Sequence, residues 1–431
     1  MSFAEHILTA LLGVLKSPPL LIGIITMIGL ILQKSPLGNV VKGTVKAVLG
    51  FVVLQGGAYL ITQSLNVFEK MFRPAFNIHG VVPSNEAITS IALTQLGQVT
   101  ALIMVFGMLA NIVIARITPM KFIFLTGHHT LFMAALFAAV LHTAGLPPAV
   151  NVAIGSVLLG FVMSFFPFMA RGTMRKITGG DDIALGHFGT TGYVISAWVG
   201  KLVGRNSKST EEIELPKGLM FFRETAVSIF LTMFVLFGIV AAVLVFKKGT
   251  GYVHANISEE DGILAFCIIQ AMTFAAGIYI MLQGVRLILG EIVPAFKGIS
   301  DKYVPSAKPA LDCPIVFPFA QNAVVIGFVC SFAGGLLGLA VCRMATWTLI
   351  IPGVIPHFFC GATAGVFGNA TGGRRGCVAG SFVHGLIITF LPLMLLPVLG
   401  DLGFANTTFG DSDFGVVGIF LGKIIMLLRH S

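Results

Sequence analysis

The side chains able to do chemistry in this chain stand in apolar surroundings. Asn85, Glu86, His128, His129, His187, Asp312, Gln321 and Asn322 each interrupt or border a hydrophobic run. Together they supply carboxylates, amides and imidazoles, a mix of hydrogen-bond acceptors and donors. No serine or cysteine stands in a nucleophile–base pattern, and no His/Cys set has metal-type spacing. Such a set suits reversible binding of a small ligand covered in hydroxyls: a sugar, a polyol or a sugar acid. Phe132, Phe188 and Phe319 fall close to these residues and could wall a ring.

Each polar residue needs a reason to be there. An unpaired carboxylate at the centre of a membrane helix costs at least ~2.5–3.5 kcal/mol, so Glu86 and Asp312 each need a partner, a proton or a ligand. His128 and His187 each follow a glycine and read as site residues. His129 lies about 100° further round a helix, which turns it toward a neighbouring helix. His142, His254 and His384 read as helix-packing or loop residues, and Arg286 with Glu291 as a helix-end pair.

The elements that hold these groups are membrane helices. The 431 residues are 56% hydrophobic and only 10% charged, with a mean hydropathy of +0.95. Apolar runs of roughly 20 residues or more recur along the chain, the signature of a polytopic membrane protein in the lipid bilayer. Its 51 glycines permit close helix packing and helix breaks. The net charge of +9 is scattered over loops, which speaks for membrane orientation and against nucleic acid as a partner. The six cysteines read as buried reduced thiols, and Met1–Lys16 lacks the pattern of a cleavable signal.

Apolar segments fall at 7–32, 40–65, 88–115, 122–146, 148–170, 183–200, 219–246, 262–290, 314–342, 346–368, 376–399 and 414–428. Basic residues in the loops around 34–46, 116–121, 171–176, 201–217, 297–308 and 374–375, and near the C-terminus, mark the cytoplasmic side. The acidic stretches Glu259-Glu260-Asp261 and Asp401, Asp411, Asp413 mark the outside. The alternation closes with an outside N-terminus and a cytoplasmic C-terminus only if 183–200 enters and leaves on one side. Its Gly- and Thr-rich content, Gly186-His187-Phe188-Gly189-Thr190-Thr191-Gly192, agrees. The expected fold is all-α, with about eleven spans plus re-entrant segments and a final helix at 414–428.

There is an internal echo. Leu54-Gln55-Gly56, Pro74-Ala75-Phe76 and Val82-Pro83-Ser84 recur in order as Leu282-Gln283-Gly284, Pro294-Ala295-Phe296 and Val304-Pro305-Ser306. An odd number of spans separates the copies, so halves 1–182 and 219–400 would be inverted relative to each other, as in many secondary transporters. Each copy is followed by an acid beside a proline break, at Pro83-Ser84-Asn85-Glu86 and at Lys308-Pro309-Ala310-Leu311-Asp312. Gly372-Gly373-Arg374-Arg375-Gly376 lacks the strand–loop–helix context of a phosphate cradle and reads as a cytoplasmic turn. With no nucleotide motif and no cofactor expected, transport must draw on an ion gradient or a partner protein.

Several stretches resemble the ascorbate-type membrane subunit (IIC) of the bacterial phosphotransferase system. They are Val82–Ala87, Phe124–Phe132, Leu185–Thr190, Gln283–Ser300, Ala310–Cys313, Gln321–Phe328 and Ala362–Asn369. Galactitol-type subunits are more distant relatives. The resemblance implies a single IIC domain over 1–431 in the bacterial cytoplasmic membrane, forming a homodimer. It implies a mobile core, a dimerising scaffold and an elevator-like movement. The phosphoryl chemistry would reside on a separate phosphocysteine IIB protein fed by IIA, so the chain itself is expected not to be an enzyme. The family's site histidines map onto His128 and His187, and its acid onto Asp312. Where enteric ascorbate carriers place glutamines, this chain has Phe132 and Phe188; Glu86 could restore some of that polarity. L-ascorbate leads as the expected substrate, with another sugar acid or a pentitol open. The alternative is a proton-coupled symporter with the proton on Glu86 or Asp312. The 201–218 loop, with Glu211, Glu212 and Glu214, is a candidate docking surface for IIB.

Overall fold

The computed structural model describes residues 17–77, 80–213, 225–257, 262–400 and 408–430. Residues 7–16 of the first apolar segment, the acidic stretch 259–261, Asp401 and Glu214 lie outside the described residues. The helices are α1 (Pro18–Leu32), α2 (Leu37–Phe76), α3 (Asn85–Ile117), α4 (Gly127–Thr143), α5 (Pro148–Thr178) and α6 (Thr190–Val203). They continue with α7 (Thr225–Lys248), α8 (Thr250–Asn256), α9 (Ile263–Lys302), α10 (Gln321–Met344), α11 (Val354–Gly400) and α12 (Ser412–His430). Among the described residues, seven helices are long and apolar enough to cross a membrane. The chain is an all-α multi-pass membrane protein.

Local chemistry sets many of the helix ends. Proline begins α1 and α5, where its missing N–H is no loss. Gly179, at φ +70°, ends α5 in the left-handed conformation, the usual place for glycine. The helix α11 hides a reversal. A Cβ on Gly368 would stand 2.3 Å from the carbonyl oxygen of Gly376, whereas eight residues of straight helix span about 12 Å. The chain therefore folds back at Gly372–Gly373, where Gly373 has φ +55° and ψ −147°. The two arms correspond to the apolar segments 346–368 and 376–399, with the double glycine as their turn.

One bundle consists of α1, α2, α7 and α9. Helices α2 and α9 are each 40 residues long and carry a proline near the C-terminal end, Pro74 and Pro294. They run antiparallel with backbones almost touching: Gly57 faces Gly277 and Met281, and Gly284 faces Gly50 and Leu54. The echoed Leu-Gln-Gly tripeptides therefore meet. Apart from the short α8, which packs on α7, the remaining helices form a second body, in which α3 packs on α5 and α4, and α6 packs on the α11 hairpin beside α10.

A small parallel sheet, unread in the sequence, sits in this second body. Its strands are β1 (Phe122–Phe124), β2 (Ala184–Leu185) and β3 (Lys308–Leu311), in the order β1-β3-β2. Phe124 and Ala184 both lie opposite Ala310, and Leu185 opposite Leu311. Proline in a central strand is unusual, but here its position removes the conflict. The N–H of Lys308 donates toward β1, to Lys121. The next donor along, missing in Pro309, would point to the β2 side, and β2 begins only opposite Ala310. The segment read as a break is thus a strand. Residues 183–200 hold β2 and the 14-residue α6, which at about 1.5 Å per residue is shorter than a bilayer core.

Candidate functional site

The strands run in the same direction, and each is followed at its carboxyl end by a residue singled out above. His187 comes two residues after β2 and Asp312 directly after β3, while His128 opens α4 after β1. Backbone bonds lock the turns together: Leu125 N–H donates to the Ala310 carbonyl, and Gly186 N–H to the Leu311 carbonyl. The Thr126 hydroxyl donates to the carbonyl of Gly186. Gly186 is required here, since a Cβ would lie 2.4 Å from the Ala310 carbonyl oxygen. The free edge of β1 is closed by the buried Asn111, whose amide donates to the Phe122 carbonyl and accepts from the Phe124 N–H.

This geometry brings residues from three distant parts of the chain onto one cavity of about 480 Å³. His128 Nε2 is 3.4 Å from one Asp312 oxygen, and His187 Nε2 is 3.8 Å from the other. The imidazole of His187 is fixed from behind. Its Nδ1 accepts from the Gly189 N–H at 3.0 Å and lies 2.9 Å from the Tyr193 hydroxyl. With Nδ1 an acceptor, the proton belongs on Nε2, which faces Asp312. Asp312 also accepts from the Cys313 N–H, which holds its carboxylate at the start of the turn Cys313–Phe319.

His129 lines the same cavity as His128, so the two adjacent histidines at the first turn of α4 are not divided between cavity and helix packing. Its ring is 3.9 Å from that of His187, centroid to centroid, and it stacks on Phe414 of α12. Its Nε2 lies 3.9 Å from Asp411. Asp411, read in the sequence as part of an outer acidic loop, is buried and lines the cavity. Asn85 donates to Asp411 at 2.9 Å and accepts from the Gly410 N–H at 2.8 Å. The Cys360 thiol donates to the other Asp411 oxygen at 3.1 Å. Asp413 is buried too, and accepts from the N–H groups of Thr190 and Thr191 at the start of α6.

The other predicted residues fall as follows. Phe132 lines the cavity and meets both His128 and His129 edge-on. Phe188 is fully buried beneath the histidines, stacked on Phe124 at 4.8 Å, and does not line the cavity. Gln321 lines a separate cavity of about 220 Å³ with Gln283 and Arg286. The Asn322 amide donates to the Thr210 carbonyl. Phe319 is partly exposed and does not line the main cavity. Glu86 lies in the first turn of α3; its side chain is outside the described residues. Glu211 accepts from the N–H groups of Asn322 and Ala323, capping α10, and Glu212 closes a capping box with Ser209. Two of the three acids of the candidate docking loop are therefore engaged within the chain, and the third, Glu214, lies outside the described residues.

The far wall of the cavity is α2, through Phe51, Leu54, Ala58, Thr62, Asn66 and Glu69 among others. Thr62, Asn66 and Glu69 recur at helical spacing inside an apolar helix, a polar stripe that periodicity alone could have flagged. Among the described residues, no Lys or Arg lines the cavity. Triads of His, Asp and Cys ligand atoms within 4.8 Å of one another occur here. Two of the three include His187, whose Nε2 carries the proton and cannot take a metal in that tautomer. The set is better suited to holding hydroxyl groups than a cation.

The family described as the PTS system sugar-specific permease component, EIIC-GAT, matches residues 13–413. A protein of Mycoplasma pneumoniae (strain ATCC 29342 / M129 / Subtype 1), described as an ascorbate-specific PTS system EIIC component, is 28% identical over 436 aligned positions. That alignment covers 89% of this chain and 64% of the relative, so the chain spans less than two thirds of the relative's length. With a family match over nearly the whole of a multi-pass helical chain, the protein belongs to the sugar-specific permease components of the phosphotransferase system.

Proposed function

We propose that this chain carries L-ascorbate or a closely related sugar acid across the cytoplasmic membrane, for phosphorylation by a separate IIB protein charged by IIA. The observation that carries the reading is the cavity itself. Two imidazoles share the Asp312 carboxylate at its head, and an aromatic ring, Phe132, stands beside them. Donors and acceptors converge on a space large enough for a monosaccharide-sized ligand.

The walls support an elevator-like movement of the second body along the α2–α9 bundle, which would form the scaffold of a homodimer. The residues of α2 that face the cavity extend from Phe51 to Glu69, a stripe about 27 Å long at 1.5 Å per residue. That is close to the thickness of a bilayer core. The contact between α2 and α9 is nearly backbone to backbone, as a rigid wall requires. Their antiparallel course also fits halves of inverted topology.

Uptake into right-side-out membrane vesicles, or into proteoliposomes loaded with the partner proteins, tests the proposal. Accumulation of phosphorylated ascorbate that requires phosphoenolpyruvate and the IIA and IIB proteins supports it. Uptake that collapses with a protonophore and ignores those proteins would replace it with proton symport. Within the site, His187→Ala and Asp312→Asn each abolish ligand binding while the protein still inserts and folds. Unchanged affinity in both variants would remove the substrate from this cavity.

A further inference from the structure

The cavity contains a second imidazole–carboxylate pair alongside the one already described. His187 faces Asp312 across 3.8 Å, and His129 faces Asp411 across 3.9 Å. The two imidazoles lie side by side, 3.9 Å between centroids. We propose that His129 and Asp411 form a second hydroxyl clamp, so that the ligand is held by two neighbouring hydroxyl groups at once. This rests on the reading of the cavity as the substrate site, and it narrows the substrate class to compounds with a vicinal or near-vicinal diol.

The spacing carries the argument. Both gaps are too long for a direct N–H···O bond, whose ordinary range ends near 3.2 Å. A hydroxyl oxygen that accepts from an imidazole N–H and donates to a carboxylate stands roughly 2.8 Å from each, which separates them by about 4.0 Å at a right angle and about 4.6 Å at the tetrahedral angle. Gaps of 3.8 and 3.9 Å lie just below the right-angled figure, so a small opening of each pair would admit the oxygen, and the same gap occurs twice.

The protonation states agree with the geometry. The proton of His187 is set on Nε2 by the Gly189 N–H behind it. The Nδ1 of His129 is buried with no hydrogen-bond partner. A proton on Nε2 leaves a bare lone pair at Nδ1, which is tolerated better than a buried N–H without an acceptor. Both imidazoles then present N–H to the cavity, and each faces a carboxylate that can take a hydroxyl proton. Asp411 is braced for this role. Asn85 holds one oxygen, and Gly410 fixes Asn85 in turn, while Cys360 holds the other oxygen. Asn85 on this view is a positioning residue and not a direct ligand.

The test is calorimetric titration of the purified full chain in lipid nanodiscs. The ligands are L-ascorbate and analogues in which single hydroxyls are removed or methylated, including 6-deoxy-L-ascorbate. The variants are Asp411→Asn and His129→Phe, the latter keeping the ring on Phe414, with His187→Ala as the reference. Each clamp variant should weaken L-ascorbate by about tenfold or more, since the lost bond involves a charged group. For the analogue lacking the clamped hydroxyl, wild type and variants should bind within twofold of each other. Equal losses across every analogue would make Asp411 and His129 structural and overturn the clamp. Wild-type affinity in both variants, with binding abolished in His187→Ala, would also overturn it. Wild-type affinity in His187→Ala would instead refute the cavity as the substrate site. If Asp411→Asn does not fold, His129→Phe decides the matter.

Discussion

Asn111 offers the sharpest test of how the site is held. It sits on α3, only 1% exposed, and completes a strand edge with a side chain. Its amide nitrogen donates to the Phe122 carbonyl at 3.0 Å and to the Ser164 hydroxyl at 2.7 Å. Its oxygen accepts from the Phe124 N–H at 3.0 Å. Asn111→Leu keeps the volume and removes all three bonds. Ser164 still donates to the Gly160 carbonyl, so the main loss is the two backbone groups of β1. Each buried polar group left without a partner costs about 1–3 kcal/mol. The sum is roughly 2–6 kcal/mol, a large share of a typical stability of about 5–15 kcal/mol. Five of the six cysteines are buried and all are free, so a thiol-reactive fluorogenic dye reports unfolding directly. The unfolding midpoint should drop by several degrees, and ligand affinity should fall with it, because β1 leads straight into His128. A midpoint and affinity equal to wild type would refute this account of the strand edge. A lower midpoint with full affinity would show that β1 stabilises the fold without positioning the histidine.

Other consequences are open to the same assays. Tyr193→Phe removes the hydroxyl beside His187 Nδ1 but leaves the Gly189 N–H in place, so binding should weaken by roughly twofold to tenfold, the worth of one neutral hydrogen bond. Gly200→Val should prevent α6 from lying on the α11 hairpin. A Cβ there already meets the Gly368 carbonyl oxygen at 2.7 Å, and overpacking against backbone costs about 1–3 kcal/mol or more. Gly172→Val, which meets nothing within 4 Å, is the matched control and should leave the midpoint near wild type. Asp181 pairs with Arg175 at 2.8 Å and with Lys308, tying the end of α5 to the start of β3. The Arg175 hydrogen bond, with help from Lys308, holds the Asp181 carboxyl below its ordinary value of 3.8. Its stabilisation is therefore present above that pH and lost as pH falls through the lower folded value. The site is largely exposed, so the effect should stay below about 1 kcal/mol. Asp181→Asn should remove that acid sensitivity, and an unchanged pH profile of stability would show that the pair contributes nothing.

Much of this architecture is legible in the sequence, because hydrophobic length is a strong signal. The membrane class and the turn at Gly372–Gly373 both follow from hydrophobic length and glycine. The sheet does not. Strands of two to four residues, as in β2 and β3, are too short for alternation to emerge, and Pro309 argued against a strand. The acids at 411 and 413 were misread for a different reason. Without a basic residue nearby they looked like an outer loop, but charge counting assumes that loop charges are solvated. Asp413 instead satisfies the first N–H groups of α6, and Asp411 is held by Asn85 and Cys360, residues far away in the chain. The expectation for His129 held in part: its ring stacks on Phe414 of the neighbouring α12, yet it also lines the cavity. The 100° rule separates neighbours in mid-helix, whereas here the pair sits on the first turn, open to the cavity from the helix end.

The hydrogen bonds also indicate which parts would have to move together. The segment 408–413 touches three elements at once. The Ser84 N–H donates to the Thr408 carbonyl, and Asn85 binds both Gly410 and Asp411, which secures the start of α3. The Asp413 N–H donates to the Phe188 carbonyl, while its carboxylate and the Ser412 hydroxyl accept from α6. The β-sheet joins the same region to Asp312 and the start of α4. These contacts bind all five site acids and imidazoles, Asp312, Asp411, His128, His129 and His187, into one unit, and none of them reaches α2. The side of the cavity formed by α2 is apolar at Phe51 and Leu54 and polar at Thr62, Asn66 and Glu69. On the proposed elevator-like movement, a surface graded in this way would let the unit slide without breaking a fixed bond, which a wall of directional contacts would not. On that proposal the binding chemistry is concentrated on one body, and the other would contribute a long, weakly bonded track. That division is what a carrier needs if it is to move its ligand without first releasing it.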